Sequence, residues 1–573
     1  MPPRLLRPVL IPLTAGAVLG IFGAPMTHST CVTLEGVSYH LPNGNSLFSH
    51  LDLHLDQRRT GLIGRNGAGK SVLARLIAGD ITPSTGRCLR HGTVHYLAQT
   101  ISQEPGLTVT DLAGVRSVIC ALERIERGSS EQADFDCVGE RWNLRQQLLD
   151  QLSQHQLTHI TLQTPVTALS GGEAMRVALM GAFLSNADLL ILDEPTNHLD
   201  HDNRLALHEQ LKEWPNGLLV ISHDRDLLEH MERIVELSSL GLTSYGGGYS
   251  FYAQAHARHQ QAAQQQLQSV RHERKREERS LREQRERLER RQARGHKQAS
   301  DTNQAKILLD RQKERSQTSS GKLLRQQDIA REALSARVRE VASLVETQNT
   351  IFVYPPEPRH NTSLKVAELI DARLPQGDSS LRTVNLTLTR GQRIALLGAN
   401  GCGKSTLLKL LAGQIPAESG HVQTYVQAAY LDQHLSVLSA EHSVFEQLRS
   451  LNRRLDESEL RTRLAQLGLC ADRINLPCSQ LSGGERLKGA MACVLYAQQP
   501  TQLLLLDEPA NHLDLPSIHA LETMLNAYTG TFVVTSHDQR FLAAIGITDR
   551  LEASPSGWLS TTVHPPEHNR SSL

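Results

Sequence analysis

The sequence has no net charge, no paired cysteines and, beyond its first residues, no apolar run long enough to span a membrane. Lysine and arginine total 60 and aspartate and glutamate also total 60, so the sum gives no pointer to an anionic partner and the distribution of charge has to decide. The eight cysteines (Cys31, Cys88, Cys120, Cys137, Cys402, Cys470, Cys478 and Cys493) are scattered without a CxxC pair. Neither a zinc site nor a secreted disulfide framework has that spacing, and they read as reduced thiols of a cytoplasmic protein. The one long apolar stretch, Val9 to Ala24, follows Arg4 and Arg7 in the manner of a signal peptide. Met26 stands just ahead of the strand-like Cys31 to Leu34, so residues 1–25 are expected to be an over-called leader, with no stable membrane insertion.

What the sequence does contain is a repeat. At 573 residues the chain exceeds one core, on a prior of about 150 residues per domain. GRNGAGKS at Gly64 to Ser71 returns as GANGCGKS at Gly398 to Ser405, and LSGGE at Leu169 to Glu173 returns at Leu481 to Glu485. LLILDEPTNHLD, ending at Asp200, is matched by LLLLDEPANHLD ending at Asp514, and VISHD ending at Asp224 by VTSHD ending at Asp538. Lys70 and Lys404 are offset by 334 positions, as are Gln99 and Gln433, whereas Ser170 and Ser482 are offset by 312. The first half therefore carries an insertion between Gln99 and Ser170, readable as a drifted surface loop or as an arm that touches a partner. The expected units are a first cassette at 26–249 with its insertion between 100 and 169, a linker at 250–347 and a second cassette at 348–573.

Charge concentrates in the linker. Ser250 to Glu340 holds 22 lysines and arginines against 12 acids, leaving the rest of the chain acidic, and its glutamines and alanines favour helix. Leu334, Val338, Val341 and Val345 recur at helical spacing, and Leu267, Val270, Leu281 and Leu288 form a sparser seam. Two antiparallel helices follow, broken by Gly295, the polar run through Gln304, and Ser316 to Gly321. A basic hairpin on an otherwise acidic molecule is drawn to phosphate backbone; a salt-bridged solvated helix is the competing reading of the same charges.

The motifs specify chemistry. Each GxxxxGK[ST] follows a strand-like run and precedes a helical pattern, the setting of a phosphate loop. Backbone N–H groups around Gly64, Asn66, Gly67 and Gly69, and around Gly398, Asn400, Gly401 and Gly403, would face phosphates at a helix N-terminus. Lys70 and Lys404 would neutralise the β and γ phosphates, with Ser71 and Ser405 ligating Mg²⁺ and Thr406 beside them. Asp193 and Asp507 end hydrophobic strands and can hold the Mg²⁺ shell, while Glu194 and Glu508 can polarise water.

The order of phosphate loop, glutamine, LSGGE, DEP and SHD resembles the nucleotide-binding domains of ABC ATPases over nearly all of both halves. The resemblance implies an α/β fold with two P-loop cassettes in tandem, joined here by a long charged α-helical hairpin. It also implies head-to-tail pairing within one monomer, so that Lys70 shares an ATP with Ser482, Gly483 and Gly484, and Lys404 with Ser170, Gly171 and Gly172. Gln99 and Gln433 resemble the Mg²⁺- and water-sensing glutamines, His223 and His537 the switch histidines, and Asp200 and Asp514 close the DEPxNHLD runs as nucleotide-site residues. Tyr39 sits where the family stacks an aromatic on adenine; Asp371 to Arg373 offers none, and Ala510 replaces the residue that is Thr196 in the first half. Both sites keep their Lys, Asp, Glu and His and are expected to hydrolyse ATP, at unequal rates.

Twin cassettes, DEPxNHLD, a charged linker and SYGGGYSFY at Ser244 to Tyr252 together resemble the F subfamily of ABC proteins. That resemblance implies an ATPase acting on the ribosome, in contact with rRNA and tRNA. The linker would enter near the tRNA exit site and reach toward peptidyl-tRNA, for rescue, regulation or antibiotic protection. An ATPase subunit of a transporter with a separate permease and a nucleic-acid remodelling or repair ATPase are the alternatives; the chain has no zinc motif or appended DNA-binding domain to favour the second.

Overall fold

Short strands of leucine, isoleucine and valine, buried on both faces, organise each half. Leu189–Asp193 and Gly217–Ile221 are buried at every position, as is Thr531–Thr535 in the second half, the pattern of parallel strands covered by helices on both sides. The computed structural model describes residues 29–101, 104–197, 199–301, 329, 331–339, 364–375, 381–499, 501–554 and 556–563; the expected leader, residues 1–25, lies outside them. In the first half a six-stranded sheet runs in the order Val94–Leu97, Leu189–Asp193, Gly217–Ile221, Arg59–Gly64, Arg233–Ser238, Gly241–Gly246. All pairs are parallel except the last. The second half repeats it as Ala428–Leu431, Leu503–Asp507, Thr531–Thr535, Arg393–Leu397, Asp549–Ser554, Gly557–Thr562. A three-stranded antiparallel sheet flanks each, with Thr30–His40 central in one and Lys365–Arg373 central in the other. The phosphate loops and the DEP acids leave the carboxyl ends of parallel strands in the same sheet, where open α/β sheets bind ligands.

The insertion of the first half is folded structure. Isolated strand-like pairings, Thr108 with Pro165 and Ser443 with Pro477, mark equivalent points in the two halves. Between them the second half has helices Val444–Leu451 and Glu457–Gln466, whereas the first has Val109–Leu112, Arg116–Glu126, Gln132–Val138 and Leu144–Gln154. The extra residues thus form the pair Arg116–Glu126 and Gln132–Val138. Val118, Ile119, Leu122 and Val138 bury into the helical subdomain's core. The turn between the two helices is closed by buried Asp134, which accepts from Arg124 Nε at 2.9 Å and Ser129 Oγ at 2.8 Å.

The linker departs from expectation at Gly295. One helix runs from Tyr249 to Asp301, 53 residues, or about 80 Å at 1.5 Å per residue. A helical glycine costs only about 1 kcal/mol relative to alanine, and the long run of strong helix formers ahead of it carries the helix through. Arg274–Glu278 and Arg282–Glu286 pairs at 3.5 Å line its surface. A second helical stretch, 331–339, packs back on it: Val338 lies on buried Leu267 and Val270, and Arg337 pairs with Glu273 at 3.6 Å, an antiparallel register. The expected connection between the two helices, Val341 and Val345, and the side chains of Leu281 and Leu288 lie outside the described residues. At its root the helix is held by an aromatic cluster of Tyr245, Tyr249 and Tyr252, with Glu236 accepting from Tyr252 OH at 3.0 Å and Tyr245 OH at 3.3 Å.

The halves meet through buried charge. Arg225, next to the first SHD, pairs with Glu522 of the second half, both under a tenth exposed. Arg540 reaches back to Asp226 at 2.6 Å and Glu229 at 3.3 Å. Breaking one partner of a buried pair strands the other charge, at a cost of about 3–5 kcal/mol. Arg225→Ala is therefore expected to lower the unfolding free energy in urea by about 3 kcal/mol, and Arg225→Met combined with Glu522→Leu to regain most of it. Wild-type stability in Arg225→Ala would contradict this role.

Candidate nucleotide-binding sites

Each phosphate loop carries the end of a buried strand into a helix, Arg59–Gly64 into Lys70–Ala78 and Arg393–Leu397 into Lys404–Leu411. Gly67 and Gly69 have φ of +82° and +97°, and Gly401 and Gly403 of +82° and +101°, conformations that a side chain would strain. Gly64 and Gly398 serve packing: a Cβ on Gly64 would lie 2.4 Å from the Leu237 carbonyl oxygen, and one on Gly398 2.7 Å from Ala553. Lys70 Nζ donates to the Gly64 carbonyl at 2.8 Å, and Lys404 Nζ to those of Gly398 at 2.6 Å and Ala399 at 2.9 Å. Burial depresses the Lys70 pKa, while Glu194, Asp514 and Asp193 oppose the shift.

A cavity of about 530 Å³ opens over the first loop. It is lined by Leu41, Leu47, Asn66, Gly67, Gly69, Lys70, Ser71, Val72, Gln99, Asp193, Glu194, His223 and His512. The second, about 260 Å³, is lined by Asn400, Gly401, Gly403, Lys404, Ser405, Thr406, Asp507 and Glu508. Tyr39 is not among the lining residues. Its ring lies beside that of Phe48, at 6.3 Å between centroids, and Leu41 and Leu47 are the apolar residues on the cavity wall.

Two adjacent acids follow one another at the end of a buried strand in each half. Asp193 accepts from Tyr96 OH at 3.2 Å, and Asp507 from Tyr430 OH and Thr535 Oγ1, each at 2.9 Å. Glu194 and Glu508 adopt φ of 49° and 47°; non-glycine residues tolerate this only when surrounding structure enforces it, and such strain gathers at functional positions. Burial pushes the Glu194 carboxyl up to about 8 and the Glu508 carboxyl up to about 7. Burial, aided by Lys70 and Lys404, holds His223 and His537 down at about 3, hence neutral. The imidazoles lie 3.6 Å and 3.4 Å from their glutamates. Both ring nitrogens of His223, Nε2 of His537 and Oε1 of Glu508 are buried without a hydrogen-bond partner. Buried polar groups left open beside a lysine and a glycine loop fit a polyphosphate and its attacking water, and the oxygens of Ser71, Gln99 and Asp193 on the same cavity wall are donors that suit Mg²⁺.

Each site is completed from the other half. Asp514 caps the helix Leu515–Ala527 through Ser517 N–H at 3.1 Å and accepts the Asn66 amide of the first phosphate loop at 2.9 Å. Asp200 does the same in mirror image, accepting the amides of Asn203 and Asn400. His512, at φ 60°, accepts from Asn66 Nδ2 through its carbonyl at 2.8 Å, while its ring lies 3.3 Å from Asn197 Nδ2 and from Gln433 Nε2. Gln433 is thereby engaged at the interface and does not line the second cavity. Ser170 and Ser482 cap the LSGGE helices in capping boxes with Glu173 and Glu485. Lys488, a turn along the second of these helices, is near enough to Arg65 for the charges to repel. Ser170, Gly171, Gly172, Ser482, Gly483 and Gly484 stand outside the linings of these two cavities. The motifs gave no role to His512, which stands inside the second NHLD run, and overlooked Tyr96 and Tyr430, which stand three residues before the paired glutamines, so the repeat itself would have shown them.

Two doubly wound cassettes with reciprocal contacts at their phosphate loops define a tandem nucleotide-binding protein of the ATP-binding cassette class. The family model described as ABC transporter matches residues 49–197 and 381–511. The chain is 32% identical over 513 residues to the probable ATP-binding protein YheS of Haemophilus influenzae, covering 85% of this chain and 73% of that one. It is 28% identical over 515 residues to the ribosome protection protein VmlR of Bacillus subtilis (89% and 84% covered). Against the tylosin resistance ATP-binding protein TlrC of Streptomyces fradiae, identity is 30% over 516 residues (84% and 90% covered). Among solved structures, an archaeal ribosome recycling factor in complex with a ribosomal stalk protein shares the fold, with a TM-score of 0.56 at 17% identity, over 92% of this chain and 90% of that one. The chain belongs to the ABC-F subfamily of ATP-binding cassette proteins. Glu194→Gln combined with Glu508→Gln is expected to retain ATP binding and to lower turnover at least about a hundredfold by removing the proton acceptors. Filter binding and phosphate release measure the two; near-wild-type turnover would remove these glutamates from the chemistry.

Proposed function

We propose that this protein is an ATP-hydrolysing translation factor, binding two MgATP between its cassettes and acting on the ribosome through its linker. The observation that carries the reading is the linker helix: 53 residues, rooted on the first cassette, with exposed arginines such as Arg282 and Arg287 along it. The acidic remainder of the molecule restricts where else it can approach nucleic acid, so the basic helix is the element that meets RNA phosphates. The ribosome-associated names among the relatives support the same partner. In this reading the linker reaches from the tRNA exit site toward peptidyl-tRNA.

In each site the loop amides and Lys70 or Lys404 hold the phosphates. Ser71, Gln99 and Asp193, and Ser405, Gln433 and Asp507, would hold Mg²⁺, which supplies charge neutralisation on the β and γ phosphates. Gln433 leaves His512 to do so. Glu194 and Glu508 take the proton of the attacking water; carboxyls with raised pKa are matched to that task near neutrality. His223 and His537, kept neutral, donate to the γ phosphate. Ser170–Gly172 and Ser482–Gly484 close on the opposite nucleotide as the cassettes tighten, which carries the linker root with them. The protein works as a cytoplasmic monomer, with both sites hydrolysing ATP at unequal rates.

The test is co-sedimentation of the ATP-trapped Glu194→Gln, Glu508→Gln chain with ribosomes across a salt series. Replacing Arg285, Arg287, Arg290, Arg291 and Arg294 with Glu is expected to weaken binding at least tenfold. It should also flatten the dependence of log affinity on log salt by about 0.7–0.9 for each phosphate that the helix no longer neutralises, with intrinsic ATPase activity spared. An unchanged affinity and slope in a folded chain would return the linker to a brace between cassettes, and pelleting with membranes instead of ribosomes would favour a transporter subunit.

A further inference from the structure

The two DEP aspartates are not held alike. At the equivalent register of the two central sheets, Asp193 pairs with Ile221 and Asp507 with Thr535. Asp507 is therefore gripped on both oxygens, Oδ2 by Tyr430 OH and Oδ1 by Thr535 Oγ1, each at 2.9 Å. The Thr535 hydroxyl lies behind the acid, fully buried on its strand, and also accepts the Glu508 amide at 2.8 Å. In the first half the Glu194 amide instead goes to the Ile221 carbonyl at 2.8 Å. Asp193 has one such rear donor, Tyr96 OH at 3.2 Å, and its second partner is Ser71, a cavity residue that would itself turn to a cation.

We propose that Thr535 is a positioning residue that makes the two cation sites unequal, the Asp507 site holding its divalent ion less tightly than the Asp193 site. A hydroxyl donating to a carboxylate oxygen takes up one of that oxygen's two lone pairs and part of the negative charge that a hard cation or its water shell would otherwise use. With both oxygens of Asp507 so engaged from behind, less of its charge faces the cavity; at Asp193 one oxygen is free of any rear donor once Ser71 turns away. Tyr96 and Tyr430 are common to both halves and set the carboxylate plane; Thr535 is the difference. The proposal rests on the nucleotide reading of these cavities.

The experiment titrates Mn²⁺ into the full chain saturated with a non-hydrolysable ATP analogue and reads free Mn²⁺ by electron paramagnetic resonance. The wild type should show two classes of site differing by about three- to tenfold, the worth of one charged hydrogen bond partly given up to the ion. Thr535→Ile should tighten the weak class toward the strong one. Because isoleucine is bulkier in a closed strand, Thr535→Val is the companion, and the Glu508 amide can turn to the strand carbonyl as it does in the first half. Ile221→Thr should weaken the strong class, leaving two weak sites. Equal classes in the wild type, or a weak class unmoved in both Thr535 variants, overturn the proposal alone. No nucleotide-dependent Mn²⁺ binding by the wild type overturns the nucleotide reading and the proposal with it.

Discussion

The structure depends on one reciprocal interaction: a carboxylate at the end of each NHLD run caps its own helix and takes a backbone amide from the phosphate loop of the opposite cassette. Asp514 with Asn66 and Asp200 with Asn400 tie each loop to the other half. A charge-assisted hydrogen bond to a backbone amide fixes that peptide unit's orientation. The loop before Lys70 is thereby held by the second half and the loop before Lys404 by the first. His512 adds a second tie at the Lys70 site, between Asn66, Asn197 and Gln433.

From the same elements a route leads to the linker. His223 lies beside Glu194, and the helix that follows it, Arg225–Glu229, carries the cassette-to-cassette pairs with Glu522 and Arg540. Glu229 also accepts the amide and hydroxyl of Ser250 in the first turn of the linker helix, at 3.1 Å and 2.8 Å. One short helix thus follows directly on His223, pairs with the partner cassette and holds the root of a helix about 80 Å long.

Much of this was legible in the sequence because it is repeated. Two phosphate loops, two LSGGE runs and two DEP acids at matching spacing specify two sheets with ligand ends aligned, and the solved folds agree. Contacts between halves were not legible, since no local pattern says that Asp514 will meet Asn66. Tyr39 lies against Phe48, a neighbour set by strand register that its position in the sequence could not show. Gly295 misled because a glycine's modest local penalty was weighed without the long run of helix formers ahead of it. The insertion of the first cassette could be located from the change of offset, but its two helices could not be seen, as the core they join is completed by later residues such as Val177 and Met180.

The central claim, that each site is completed by the opposite cassette, is tested most directly by single-site turnover. In a Lys404→Ala chain turnover is expected from the Lys70 site alone. Adding Asp514→Ala, a change confined to the second cassette, should slow that turnover at least about tenfold, because the Asn66 loop loses its anchor and small displacements of reacting groups cost orders of magnitude in rate. Turnover unchanged by Asp514→Ala in a folded chain would contradict the account and leave each cassette an independent ATPase.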